Sequence, residues 1–354
     1  MDTALTQPPI HIGGVEVPAG ERRLIDLPVP HLYTHAALTI PVRVLHGRRP
    51  GPRLFVCAAI HGDEINGVEI IRRVLGVKGI ERLTGTLLAV PVVNVYGFIN
   101  QSRYLPDRRD LNRCFPGSEK GPLASRLAHV FFSEIAALCT HGIDLHTGAI
   151  HRDNLPQVRA CTDDPETVRM ARAFDAPVLI NTALVDGSIR RALARRGIPI
   201  VVYEAGEALR FDEAAIRVGV HGVLSVMRYL RMLPPLRTRQ RRIEPLEGRS
   251  SGWVRAPQSG ILRTLTPLGA RVQAYQCLGV VADPFGEREA EVHTPATGIV
   301  IGRINLPLVN EGEALFHIAR LEPAEEAGAE PLTTLIPDLE EARATETPTE
   351  PPLG

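Results

Sequence analysis

Lysine is nearly absent from this chain. Only Lys78 and Lys120 occur among 354 residues, so arginine supplies almost all of the 40 basic side chains. Forty acidic residues balance them, and a net charge of zero gives no reason to expect a nucleic-acid or anionic-membrane partner. The five cysteines, Cys57, Cys114, Cys139, Cys161 and Cys277, are odd in number and never form C-x-x-C, which argues against a disulfide framework and a thiolate metal site. No apolar run approaches the length of a membrane span, and Met1 to Gly14 contain no basic segment followed by an apolar one. A cytoplasmic location is expected.

What the chain does have is enough apolar residue, 44%, to bury a large core in more than one domain. Short alternating stretches over 10–46, punctuated by Pro and Gly, predict antiparallel strands at a sheet edge. A continuous apolar run, Leu54 to Ile60, reads as a strand buried on both faces. Helical spacing follows at Ile65 to Leu75, then a second apolar strand, Thr86 to Val93. The segment Tyr96 to Gly117 is polar, arginine-rich and long for a connection, a property of functional loops. An amphipathic helix is expected over Pro122 to Cys139, with Leu127, Phe131, Ile135 and Leu138 on one stripe. A short strand follows at 143–148. Strands at 157–161, 177–181 and 198–203 then alternate with helices near 164–174, 188–196 and 212–232. That alternation predicts an α/β domain over 1–235, its sheet covered on both faces and its functional residues gathered where strands end.

Residues 236–251, with Pro234-Pro235 before them and Arg237, Arg239, Arg241 and Arg242 near their start, read as a solvated linker rather than a basic docking patch. Over 252–320, turn phrases such as Ala256-Pro257-Gln258-Ser259-Gly260 and Thr294-Pro295-Ala296-Thr297-Gly298 separate short strands, which predicts a small all-β unit. The remainder, 321–354, is acidic, rich in Pro, and expected to be disordered.

The chemistry gathers at four places. His61-Gly62-Asp63-Glu64 puts an imidazole and a carboxylate three residues apart at the end of a buried strand. Both are ligands for divalent zinc, which in catalytic sites takes three protein ligands and keeps one position for water. Asp144-Leu145-His146 ends another strand and offers a third ligand, with His141 and His151 as competitors. Asp144 shares a strand face with His146 and is suited to hold its second ring nitrogen. Asn112-Arg113 sets an amide beside a guanidinium, a pair fit to clasp a substrate carboxylate, and a further arginine could polarise a scissile carbonyl. Finally, Glu204 ends the apolar strand Ile200 to Tyr203, where an unpaired charge would be costly. It is the expected general base, with Glu207 the weaker candidate.

Taken in order, H-G-D-E, R-Y-L-P-D-R-R-D-L-N-R-C-F-P-G, D-L-H-T-G and Y-E-A-G resemble the succinylglutamate desuccinylase and aspartoacylase family, relatives of the zinc carboxypeptidases. The resemblance spans about residues 40 to 320. It implies a zinc-carboxypeptidase-like mixed α/β sheet with helices on both faces, followed by a small β domain. It also implies one zinc ion on His61, Glu64 and His146, substrate carboxylate on Asn112 and Arg113, Arg103 at the carbonyl oxygen, and Glu204 as base and acid. A further substrate arginine is matched by Arg190. The interval from Arg103 to Asn112 is slightly longer than in aspartoacylase, and Glu207 follows Gly206 where other side chains are common. The C-terminal unit resembles a biotinyl or lipoyl-like sandwich, but it has no lysine to carry a cofactor, which leaves it a lid or an oligomer contact.

These features imply hydrolysis of the amide of a small N-acylated amino acid by zinc-activated water. A carboxypeptidase or isopeptidase acting on a short peptide-like substrate is the runner-up, and an inactive binding module of the same fold a third reading. No nucleic-acid or membrane partner is expected, and a homo-oligomer is compatible with the sequence.

Overall fold

Gly13 and Gly14, both at positive φ, form the two-residue turn joining β1 (Ile10–Ile12) to β2 (Val15–Val17). In this computed structural model residues 6–236 and 245–321 are described. The expected tail beyond Leu321 and residues 237–244 of the expected linker lie outside them. The chain divides into two compact units, Met1–Glu247 and Gly248–Gly354.

In the first unit, β3 (Arg22–Val29) and β4 (Leu38–His46) pair antiparallel at the sheet edge. The apolar run becomes β5 (Arg53–Ala58), buried from Leu54 onward, and α1 (Asn66–Leu75) follows the loop that carries His61 and Glu64. After β6 (Thr86–Val90) and the short α2 (Val95–Ile99), helix α3 covers Leu123–Glu134. It ends earlier than its stripe of apolar residues suggests. Ile135 leaves helical geometry at φ −126°, and Ala136–Leu138 continue as a 3-10 turn. Ile135 is fully buried, so packing rather than periodicity decides its conformation. Then come β7 (His141–Gly148), β8 (Arg152–Ala160), α4 (Pro165–Phe174), β9 (Val178–Asn181), α5 (Ile189–Ala194), β10 (Ile200–Glu207) and α6 (Glu213–Tyr229).

The strands lie in the order β9-β8-β10-β7-β5-β6-β4-β3. The sheet is mixed. The pairs β10–β7, β7–β5, β5–β6 and β8–β9 are parallel, whereas β8–β10, β6–β4 and β4–β3 are antiparallel. Although β7 and β8 are consecutive in the chain, β10 lies between them.

Alternation along each strand sends successive side chains to opposite layers. Leu54, Val56 and Ala58 of β5, Ile143 and Leu145 of β7, and Val201, Tyr203 and Ala205 of β10 pack in one core with α1, α4 and α6. Phe55 and Cys57 join the other core, with α3 and α5. Asp144, His146 and Glu204 alternate with the first set, so all three face the α3 and α5 side.

The second unit holds two sheets. One has Ser250–Arg255, Ala314–Arg320, Gly298–Ile304 and Arg271–Val272 in that order; the other has Glu289–His293, Cys277–Ala282, Gly260–Thr264 and Leu308–Val309. Val254, Val300, Phe316 and Ile318 of the first meet Leu262, Leu278, Val281 and Val292 of the second in one core. This is a β sandwich. Among the described residues no helix is long and apolar enough to cross a membrane.

Helices α1 and α6 are tied by Arg73, which donates to Glu69 at 2.7 Å and to both oxygens of Glu213 at 2.8 and 2.7 Å. Its hydrogen bond is the main reason that the Glu213 carboxyl is lowered from 4.5 to about 2. Glu69 is lowered likewise, chiefly by Arg72 and then by Arg73. A carboxylate depressed by folding stabilises above its unfolded value and loses that contribution as pH falls through its folded value. Replacement of Arg73 by Met should therefore cost about 1 kcal/mol at pH 7, the bridge being partly open to solvent. In urea unfolding series the gap from wild type should close as pH falls from 4.5 to about 2. A gap that persists at the acid end would show that the bridge contributes nothing.

Candidate metal centre and active site

The loop carrying His61 and Glu64 starts where β5 ends, and two glycines allow it to lie so deep. A Cβ on Gly62 would sit 2.0 Å from the Gly97 carbonyl carbon, and one on Gly67 would meet the Ala58 and Leu145 Cβ atoms at 2.6 and 2.8 Å. The loop is thus pressed against α2, and the first turn of α1 rests directly on β5 and β7.

His61, Glu64 and His146 converge here, all at most 5% exposed. Glu64 Oε1 is 2.7 Å from His61 Nδ1, Glu64 Oε2 is 2.6 Å from His146 Nδ1, and the two Nδ1 atoms are 3.2 Å apart. The Thr147 amide also donates to Glu64 Oε2, at 3.2 Å. On its far side, His146 Nε2 meets Asp144 Oδ2 at 2.7 Å, as the two-residue spacing predicts. Asp144 has no exposure, and its other oxygen accepts from the Cys57 thiol at 3.3 Å.

Electrostatics at this point favours a cation. Burial pushes the His61 pKa down, but Glu64 and Asp110 outweigh it and leave the imidazole above its ordinary value. Burial likewise opposes charge on His146, and Asp144 with Glu64 raises it well above normal. For Glu64, burial raises the pKa, yet the two imidazoles bring it far below the usual carboxylate range. Two ring nitrogens and a carboxylate turned on one point are a donor set that a divalent metal fits.

The polar loop supplies the next ring of groups. Arg103 Nη1 lies 3.2 Å from His61 Nδ1 and 3.4 Å from Glu64 Oε1, while Nη2 donates to Asp110 Oδ2 at 2.9 Å. Asp110 also accepts from the Asn112 amide at 2.8 Å and approaches His61 Nε2 at 3.3 Å. Burial acts to raise its pKa, but His61 and Arg103 hold it well below the usual range. Sequence reasoning did not assign Asp110 a role. The available signal was D-x-N, a carboxylate two residues before the amide it caps.

Asn112 directs its side-chain oxygen to the Ile189 amide at 3.0 Å, which ties the loop to the start of α5. Arg113 is exposed and donates to the Asn112 carbonyl at 2.7 Å. Arg190 is near Glu204, but its Nη atoms donate to Thr182 Oγ1 at 2.8 Å and to the Ala183 carbonyl at 3.1 Å. Its burial lowers its pKa, with Glu204 opposing. The guanidinium thus braces the segment after β9.

Glu204 sits opposite His146 in the parallel β10–β7 register. A bulge follows it at once, between Glu204 and Glu207, with Gly206 at positive φ. Glu207 accepts from the His151 amide at 3.0 Å and so braces the turn between β7 and β8. His151 itself is exposed, and His141 lies at the opposite end of β7, bonded to Thr140. Neither joins the cluster. Asn154 and Arg159, which contact Glu204, were not singled out from sequence, because pairing of β8 with β10 is not a local signal.

A mixed sheet with helices on both faces, carrying His, Glu and His where its strands end, defines an α/β protein with a candidate metal centre. The chain belongs to the succinylglutamate desuccinylase/aspartoacylase family, whose catalytic domain matches residues 50–230. It is 25% identical over 297 residues to N-alpha-acetyl-L-2,4-diaminobutyric acid deacetylase of Halomonas elongata, covering 80% of this chain and 86% of that protein. Its fold is similar to the succinylglutamate desuccinylase/aspartoacylase of Rhodobacter sphaeroides, with TM-score 0.75, 23% identity, and 85% and 96% of the two chains covered. The product-bound ectoine utilization protein EutE (DoeB) of Ruegeria pomeroyi is similar too, with TM-score 0.76, 23% identity, and 84% and 95% covered.

Because His61 and His146 must lose protons to act as ligands, and both are held above the ordinary imidazole value, metal affinity should rise with pH across the neutral range. Substitution Asp144→Asn should weaken metal binding about 10- to 100-fold, by leaving the His146 ring without its charged partner. Calorimetric titration with a divalent metal at several pH values checks both. Unchanged affinity in the variant would remove Asp144 from the site.

Proposed function

We propose that the chain is a zinc-dependent deacylase that hydrolyses the amide of an N-acylated amino acid. The observation that carries this reading is the register that sets Glu204 beside His146, one of the three converging side chains. Zinc held by His61, Glu64 and His146 would supply Lewis acidity toward water and the scissile carbonyl.

The chain's own residues do the rest. Glu204 takes the proton of the attacking water and returns it to the leaving nitrogen, which needs one group to act first as base and then as acid. Arg103 stands 3.2 Å from His61 Nδ1, so its guanidinium is in place to receive the developing oxyanion. Asn112 and Arg113 clasp the substrate carboxylate and hold the amide in register. Asp110 keeps Arg103 aimed and, through the Asn112 amide, couples the oxyanion group to the carboxylate clasp. Arg190, with both Nη atoms engaged, shapes the wall of the site. The named activity of the Halomonas elongata relative, removal of an acetyl group from a diamino acid, supports an N-acyl amino acid as substrate class.

Glu204→Gln should retain metal and lose hydrolysis by about 100-fold or more on a panel of N-acetyl and N-succinyl amino acids. Near wild-type turnover in that variant would show that the proton is handled elsewhere.

A further inference from the structure

Glu204 is a flexible side chain asked to deliver a proton to one place. A glutamate carboxylate has two equivalent oxygens, and three torsions over which to distribute them. In this chain the ambiguity is removed from one side. Asn154 Nδ2 donates to Glu204 Oε2 at 2.9 Å, and Arg159 Nη2 meets the same oxygen at 3.0 Å. Both donors come from β8, the strand on the opposite side of β10 from His146. In that antiparallel pairing Arg159 is opposite Val202 and Asn154 is opposite Gly206. The two donors therefore approach from either side of position 204 along the strand. The bulge after Glu204 is what brings Asn154 level.

We propose that Asn154 and Arg159 are positioning residues for the reaction: they bind Oε2 of Glu204 together and reserve Oε1 for the proton. The inference rests on the reading of Glu204 as base and acid. A charge-assisted bond and an amide bond on one oxygen fix the carboxylate plane, so the remaining oxygen keeps its lone pairs and a defined direction. Asn154 is 7% exposed, Arg159 23% and Glu204 18%, so the contact is sheltered at the edge of the site rather than enclosed in a core. The competing role for Arg159 is direct contact with substrate, Arg190 being already engaged with the segment after β9.

Steady-state kinetics on metal-loaded protein separates these roles. Asn154→Ala and Arg159→Met should each lower kcat on the order of 10- to 100-fold, the scale of a small misplacement of a reacting group. KM should stay within about twofold and metal content should not change. Arg159→Lys, which keeps a charged donor, should recover part of the loss. In a Glu204→Gln background, Arg159→Met should add almost nothing, because the group it positions is already gone. If KM rises while kcat is kept, Arg159 is a substrate contact and the proposal fails. Losses that multiply in the double variant, or wild-type kcat in Asn154→Ala, also overturn it. Should Arg159→Met not fold, Asn154→Ala and Arg159→Lys still decide. An active Glu204→Gln would instead refute the assignment of the base, a separate result.

Discussion

Two imidazole nitrogens and a carboxylate are brought together at the ends of two parallel strands, with the Arg103 guanidinium at their edge. His61 Nδ1 and His146 Nδ1 stand 3.2 Å apart, each already against an oxygen of Glu64. Buried imidazoles ordinarily become easier to deprotonate, yet here Glu64, Asp110 and Asp144 reverse that trend. A pocket that raises two imidazole pKa values against burial is one whose field invites a positive ion. The rest of the site is arranged around that field.

The topology explains how groups so distant in sequence meet. Placing β10 between β7 and β8 gives Glu204 neighbours from two strands: His146 on one side, Asn154 and Arg159 on the other. Period-two alternation then does the sorting. Ile143, Leu145, Val201, Tyr203 and Ala205 fill the core under α1, α4 and α6, so Asp144, His146 and Glu204 face the opposite layer. The loop is held to α5 through the Asn112 oxygen and to His61 through Asp110, which ties it to both sides of the candidate site.

Local features were legible in the sequence. The buried run at Leu54, the His61 and Glu64 spacing, and the Asp144 and His146 pair each depend on neighbours along the chain, and the structure places them as their periodicity suggests. The long polar loop announced itself by composition. What was not legible is non-local. The insertion of β10 between β7 and β8, and with it the contacts of Asn154 and Arg159 to Glu204, follows from strand pairing, which no spacing encodes. The early end of α3 arises similarly, since Ile135 is placed by the core it fills. Asp110 was hidden among the charges of its own loop, where only a tertiary view shows which carboxylate faces a histidine.

The most direct test of the central claim is anomalous diffraction at the zinc absorption edge from crystals grown with zinc. The account requires one strong peak about 2.0 to 2.2 Å from His61 Nδ1, His146 Nδ1 and a Glu64 oxygen, with Glu204 facing it across an open coordination position. Zinc found only elsewhere on the protein, with these three side chains still bonded to one another, would contradict it.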